Sequence, residues 1–233
     1  MKKIIAAFIL LNLFGTLLYA EEKKEPRYYD IEMIFFRHLG PIDPNEQWPV
    51  GYFPANIEKA LELHWEKSQD GFIGLPKEAY QLNKEANHLK YSKRYQLLQH
   101  LAWRQPGLPA KQAIAIHIRA GKPLSSRPTI QPDVLDKSTP STTVNRLIYP
   151  LEGTVTVVLK RYLHLYTDLS FTQQKRVSTA EPLNGSAQTA RVYFQSYPIQ
   201  GHRKMRSKEV HYLDNPRIGI VVLMTPVKMV KKP

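Results

Sequence analysis

Tyr95-Gln96-Leu97-Leu98-Gln99-His100-Leu101-Ala102-Trp103-Arg104-Gln105-Pro106 is the stretch on which the fold turns. Read at 3.6 residues per turn, Tyr95, Leu98, Leu101 and Ala102 share one stripe, as Ala79, Leu82, Ala86 and Leu89 do just before it. That spacing predicts two helices within residues 78–105. Ser92 stands where the second would be capped, and Pro106-Gly107 where it would end. A weaker pattern, Ile57, Ala60 and Leu61 with His64 or Trp65, leaves residues 56–65 between a short amphipathic helix and irregular chain.

Around this segment the chain reads as strand. Residues 28–37, Tyr-Tyr-Asp-Ile-Glu-Met-Ile-Phe-Phe-Arg, alternate and then turn wholly apolar, the pattern of a strand whose second half is buried on both faces. Residues 113–120 set Ile114, Ile116 and Ile118 against Ala115, His117 and Arg119. Further strands are predicted at 151–169, with a break near Tyr166 as the alternative, and at 190–197, 205–213 and 217–227, the last apolar from Ile218 to Met224 and therefore central in its sheet. Four prolines make 38–54 a loop, pinned by Trp48 and Tyr52. Prolines, serines and threonines make 121–145 a mobile connection, and polar 173–189 an exposed loop. This order predicts an α+β fold: an antiparallel sheet of C-terminal strands plus the N-terminal strand, packed with a helical hairpin.

The first twenty residues contain no acid, open with Lys2 and Lys3, run apolar from Ile4 to Leu18 and end at Ala20 before Glu21-Glu22-Lys23-Lys24-Glu25. That is the layout of a secretory signal peptide over 1–20, followed by a single mature domain over 21–233. The alternative, an uncleaved membrane anchor, has a run short of the ~20 residues of a span. Without Lys2 and Lys3, 31 of the 33 basic residues remain against 20 acids, a net charge of +11. Such a field favours anionic partners, which outside the cytoplasm are phospholipid headgroups, lipopolysaccharide phosphates and the carboxylates of peptidoglycan stem peptides; nucleic acid is excluded by the compartment. The competing reading is that the lysines serve solubility alone. With no cysteine, disulfides, thiolate zinc sites, cysteine nucleophiles and a lipoprotein anchor are all excluded.

Catalytic signatures are missing too. The chain has no Gly-x-Ser-x-Gly, no serine followed three residues later by lysine, and no phosphate-cradling loop. Glu85 and His88 sit one helical turn apart, but a carboxylate-bridged metal pair needs that unit twice. Asp168, Glu209 and Asp214 have the chemistry for paired glycoside cleavage, yet nothing in the sequence links them, and Asp214-Asn215-Pro216 reads as a turn. The expectation is a protein with no catalytic residue, metal or cofactor.

What remains is a dense set of cations and rings on the C-terminal strands. Period-two alternation puts Val155, Val157, Leu159, Leu163 and Leu165 on one face and Lys160, Tyr162, His164 and Tyr166 on the other. Downstream stand Arg191, Tyr193, Tyr197, Arg203, Arg206, His211 and Tyr212. Aromatic faces lie well against the CH-rich faces of sugars, and arginine forks onto carboxylates. Arg161, Tyr162, His164, Arg203, Arg206, His211 and Tyr212 are therefore the candidate ligand-binding residues. The competing reading is half-buried tyrosine packing, with cations guarding strand edges.

Four blocks in order, Tyr29 to Arg37, Tyr95 to Pro106, Gly153 to Leu165 and Arg203 to Pro216 with Gly219 and Pro226 beyond, make the chain resemble the CsiV family of proteobacterial periplasmic peptidoglycan-binding proteins over nearly all of 21–233. The resemblance implies a non-enzymatic periplasmic protein, enriched at the septum, that binds peptidoglycan and supports wall assembly, cell shape and division through a septal division protein. It carries no residue-level site across. The chain departs from the family pattern at His202-Arg203-Lys204-Met205, where Arg-Arg-Met is commoner, and in its loop at 173–189. The rivals are an envelope adaptor that touches the wall only through another protein, a wall hydrolase, and a lipid-surface binder drawn by charge.

Overall fold

In the computed structural model, residues 26–41, 45, 48, 51, 53–65, 67–124, 147–177 and 191–228 are described. The expected signal at 1–20, nearly all of the 121–145 connection, Tyr52 and residues 178–189 of the expected loop lie outside them. The strands are β1 (Tyr28–His38), β2 (Ile73–Gly74), β3 (Tyr95–Pro106), β4 (Ala115–Ala120), β5 (Leu151–Leu159), β6 (Leu163–Val177), β7 (Arg191–Met205), β8 (Val210–Asp214) and β9 (Ile218–Pro226). Among the described residues the α-helix is α1 (Asn83–Lys90), preceded by a 3₁₀ turn at Lys77–Ala79.

All strand pairs are antiparallel and fall into two sheets, one ordered β2-β3-β1-β9-β8 and the other β4-β5-β6-β7. Alternation decides which side chains lie between them. Ile31, Met33 and Phe35 of β1, Leu101 and Trp103 of β3, and Ile218, Ile220, Val222 and Met224 of β9 meet Ile116 and Ile118 of β4, Val155 and Val157 of β5, Leu163 and Leu165 of β6 and Tyr197 of β7 in one continuous core. Two inner faces interdigitating in this way form a sheet-on-sheet sandwich. The N-terminal strand lies at the centre of its sheet, flanked by β3 and by the apolar β9.

The α+β fold predicted from the sequence, a single antiparallel sheet packed with a helical hairpin at 78–105, is overturned: the described residues are mostly antiparallel strand in two sheets, with one α-helix and no hairpin. The second half of the predicted hairpin is β3, antiparallel to β1 along the whole strand. The misleading pattern has a physical source. Leu98, Leu101 and Trp103 pack toward the sandwich core, while Leu97 packs toward α1 on the outer face. A register shift opposite Phe35/Phe36 places an extra residue there, so the alternation slips. A strand buried on both faces and interrupted by a bulge mimics helical spacing. Residues 56–65 are irregular, with Leu61 bridged in parallel to Ile116 as a strap along the edge of β4.

Three further boundaries are corrected. The strand predicted at 151–169 breaks at 160–162, between paired Leu159 and Leu163, and not near Tyr166. The strand predicted at 205–213 breaks at 206–209, so Arg203 belongs to β7 in one sheet and His211 and Tyr212 to β8 in the other. Residues Gln173 to Val177 of the expected loop continue β6.

The helix is short and has no side-chain cap of its own. Instead Glu32, buried on the outer face of β1, accepts the N–H of Gln81 at 2.7 Å and that of Leu82 at 2.8 Å, and pairs with His100 Nε2 at 2.7 Å. A carboxylate at the start of a helix meets unsatisfied N–H groups and the positive end of the dipole. Leu82, Ala86 and Leu89 then pack on Ile34, Leu97, Val221 and Leu223.

Candidate functional site

Three connections meet at one end of the sandwich. The residues leading into β1 include Arg27, whose carbonyl accepts the Gly107 N–H at 2.7 Å. The loop joining β5 to β6 is Lys160-Arg161-Tyr162, closed by the Leu159–Leu163 pair. The loop joining β7 to β8 carries the chain from one sheet to the other through Arg206, Ser207, Lys208 and Glu209. Lys208 adopts a left-handed conformation (φ 67°), and its N–H donates to the Met224 carbonyl at 2.8 Å, which fixes the loop against β9.

Between these connections lies a cleft of about 360 Å³ lined by Arg27, Tyr29, Leu159, Arg161, Tyr162, Leu163, Met205, Arg206, Ser207 and Glu209. Its floor is apolar, since Tyr29, Leu163 and Met205 belong to the core. Three guanidinium-bearing residues line it against one carboxylate. That carboxylate neutralises little, because Arg206 Nη1 and Glu209 Oε1 are 3.7 Å apart with both side chains more than half exposed. The Arg161 guanidinium lies 5.7 Å from the centre of the Tyr162 ring, and Lys204 Nζ lies 4.6 Å from it. A cationic rim over an apolar floor with an aromatic wall receives an anionic group attached to an apolar or CH-rich body.

The structure divides the seven residues singled out in the sequence. Arg161, Tyr162 and Arg206 line the cleft. His211 supports it: its Nε2 is 3.2 Å from both the N–H and the carbonyl of Arg206, accepting from the first or donating to the second. Arg203 is exposed on β7, two residues from Met205 on the same face, and is not among the lining residues. His164 lies on the outer face of the four-stranded sheet, where it stacks on His202 (ring centres 5.1 Å apart), which in turn stacks on Tyr166 (4.3 Å). Its Nδ1 is 2.9 Å from His202 Nε2. Partial desolvation and the charges of Lys160, His202 and Lys204 hold its pKa below the ordinary histidine value.

Tyr212 stands apart from this arrangement. On the outer face of the five-stranded sheet it stacks on Phe36 and donates its hydroxyl to Asp214 at 2.6 Å; burial and that carboxylate push the phenol above its usual pKa. The same Phe36 ring covers Gly219, where any side chain would collide with it. Arg191 and Tyr193 lie on β7, and their side chains are outside the described atoms. Arg27 was not singled out in the sequence. It precedes the strand with no pattern of its own, and only the closing of the two sheets brings it beside Arg161 and Arg206.

The acids weighed for paired catalysis are separated. Asp168 accepts from Gln200 Nε2 at 3.0 Å, Glu209 faces Arg206, and Asp214 holds Tyr212. Among the described residues no three potential ligands converge on a metal position. No described helix is long and apolar enough to cross a membrane.

A family model described as a peptidoglycan-binding protein, CsiV, matches residues 5–227 of the chain. No curated protein and no solved structure matches it.

Proposed function

The chain belongs to the CsiV family, a family described as peptidoglycan-binding and so placed at the cell envelope; from that premise we propose that the arginine cleft grips an acidic stem peptide of peptidoglycan and cuts nothing. The observation that carries this reading is the meeting of Arg27, Arg161 and Arg206, from three separate connections, over an apolar floor. Guanidinium forks recognise carboxylates, and Tyr162 offers a face to the adjoining sugar or side chain. The protein works in the periplasm after removal of residues 1–20, supporting wall assembly, cell shape and division with a septal partner.

Sedimentation of the purified protein with isolated sacculi tests it. Reversing Arg161 and Arg206 together (R161E/R206E) lowers the bound fraction by about tenfold or more, because charge-assisted hydrogen bonds are lost at two positions. The circular dichroism spectrum stays unchanged. Undiminished pelleting of this double variant removes the cleft from the mechanism. Binding also weakens as salt rises, since exposed charges beyond ~8 Å are screened at physiological ionic strength.

A second reading is an envelope adaptor. It is favoured by β7, a long edge strand whose ladder partner among the described residues is β6, its outer edge met at Ser196, whose N–H donates to the Gly51 carbonyl at 2.9 Å, and otherwise open to an added strand. Unpaired strand edges accept extended peptides. An adaptor would pellet with sacculi from extract and not in purified form.

A further inference from the structure

At the far end of β1 from the cleft, Arg217 stands in the turn that feeds β9, and its side chain is drawn into the protein to 6% exposure. Its guanidinium lies over the Tyr197 ring, 4.9 Å from the centre, and Nη2 donates to Gln173 Oε1 at 2.7 Å. Its Nε has no acceptor. No carboxylate of the described residues forms an ion pair with it, whereas the other buried charged groups are matched: Glu32 by His100, and Glu152 by His117.

Its neighbours are in the same condition. Arg37 pairs with Ile218 in the β1–β9 ladder, and alternation from Phe35 puts it on the core-facing side. Arg37 Nε and the Tyr197 hydroxyl are buried without hydrogen-bond partners; His38 Nε2 makes no hydrogen bond either, but lies 3.5 Å from Asp214 Oδ1, within ion-pair distance. The His38 N–H donates to the Arg217 carbonyl at 3.0 Å, so the ends of these elements are locked together. Every buried side-chain nitrogen or oxygen left without a hydrogen bond among the described residues thus lies on β1's last two residues, on Arg217, or on the tyrosine beneath it. Buried donors are nearly always satisfied, and an unmatched buried cation is far costlier than an unmatched neutral group.

We propose that this end of the sandwich is a carboxylate-binding site, in which Arg217 and the Tyr197 hydroxyl receive the two oxygens and Arg37 completes the charge. Trp48, edge-on to Tyr197 at 5.2 Å, and Phe171, 6.0 Å from it, give an aromatic surround. That surround suits a monoanion on an apolar body better than a hydrated phosphate dianion. The carboxylate belongs either to a small organic acid or to the C-terminus of a peptide. The site is separate from the cleft, so the sacculus experiment and this proposal can fail independently.

The test is thermal unfolding of the full chain at matched ionic strength in chloride, acetate, N-acetyl-alanyl-alanine, the C-terminal amide of that dipeptide, and phosphate. Acetate and the free-acid dipeptide are expected to raise Tm saturably and the amide to leave it unchanged. At a concentration of 100 Kd the folding equilibrium shifts about a hundredfold. Tighter binding of the dipeptide than of acetate identifies a peptide C-terminus, and equal binding a free acid. Arg217→Met is expected to erase the response. Should that variant not fold, Tyr197→Phe decides, since it keeps the ring under the guanidinium and is expected to weaken Kd about fivefold. No response in the native chain, an undiminished response in these variants, or a stronger response to phosphate overturns the assignment.

Discussion

The two ends of β1 hold arginines under opposite conditions. At the first, Arg161 and Arg206 stand in water at the mouth of a cleft with Arg27, over an apolar floor. At the other, about 33 Å away at the rise of an extended strand, Arg217 is enclosed against Tyr197 and Gln173 with no described acid as partner. Solvation, and not the count of cations, separates them. A charge in water interacts weakly and costs little, while the same charge in a low-dielectric interior interacts strongly and is expensive to leave unmatched. The open end is built for weak, reversible, salt-sensitive contact. The closed end is built around a single strong requirement.

The sharpest way to break this contrast is to truncate a ring at each end. Tyr197→Ala removes a fully buried side chain and is expected to cost about 3–5 kcal/mol, whereas half-buried Tyr162→Ala is expected to cost about 1 kcal/mol. Urea denaturation of both variants measures the difference, and equal losses would mean that the open end is as structural as the closed one.

A smaller effect comes from a cation that is buried but matched. His117 is held between Glu62 and Glu152, with Glu62 also bound by Arg119 Nη2 at 3.1 Å. Burial opposes its charge, but the hydrogen bonds it donates to Glu152 and Glu62, with the charges of those carboxylates, raise its pKa above the ordinary value. A raised folded-state pKa stabilises fully below the unfolded value of about 6.5 and ceases to do so as pH rises through the folded value. Stability should therefore decline across that window on the alkaline side of 6.5, and His117→Gln should flatten the profile of denaturation midpoint against pH. A native profile as flat as that of the variant would show that the clamp holds no proton.

The smallest effect is expected from Glu209→Gln, which removes the exposed partner of Arg206. Folding stability should change by less than about 0.5 kcal/mol. Sacculus binding should rise slightly, because the guanidinium loses a competitor. A fall in binding would place Glu209 on the ligand.

Much of the sheet structure was legible because one period governs it. Ile31, Met33 and Phe35, and again Val155, Val157, Leu163 and Leu165, alternate cleanly and all lie in the core. The turn at Asp214-Asn215-Pro216 was legible from its chemistry; Asn215 and Ile218 exchange backbone hydrogen bonds at 3.1 Å across it. Residues 95–106 were misread because α1 covers the back of β3 and a bulge shifts its phase. No local signal distinguishes that arrangement from an amphipathic helix. The cleft was legible in part. Arg161, Tyr162 and Arg206 were named from density of charge and rings, but their grouping with Arg27, and the separation of His164 and Tyr212 from them, follow from the assignment of β6, β7 and β8 to two different sheets. Arg217 looks in sequence like any surface cation beside a proline turn, because burial is a tertiary property.

The attachment of α1 to Glu32 fixes an order of events. The carboxylate that starts the helix stands 50 residues upstream, on a strand, and eight residues alone are too few to nucleate a helix in water. The ladder between β1 and β3 must therefore assemble before this turn of chain has anything to wind upon. In the native state, amide protons of residues 87–90 will exchange with solvent ahead of those in the central strands, since the helix can lift off while the sheet beneath it stays closed.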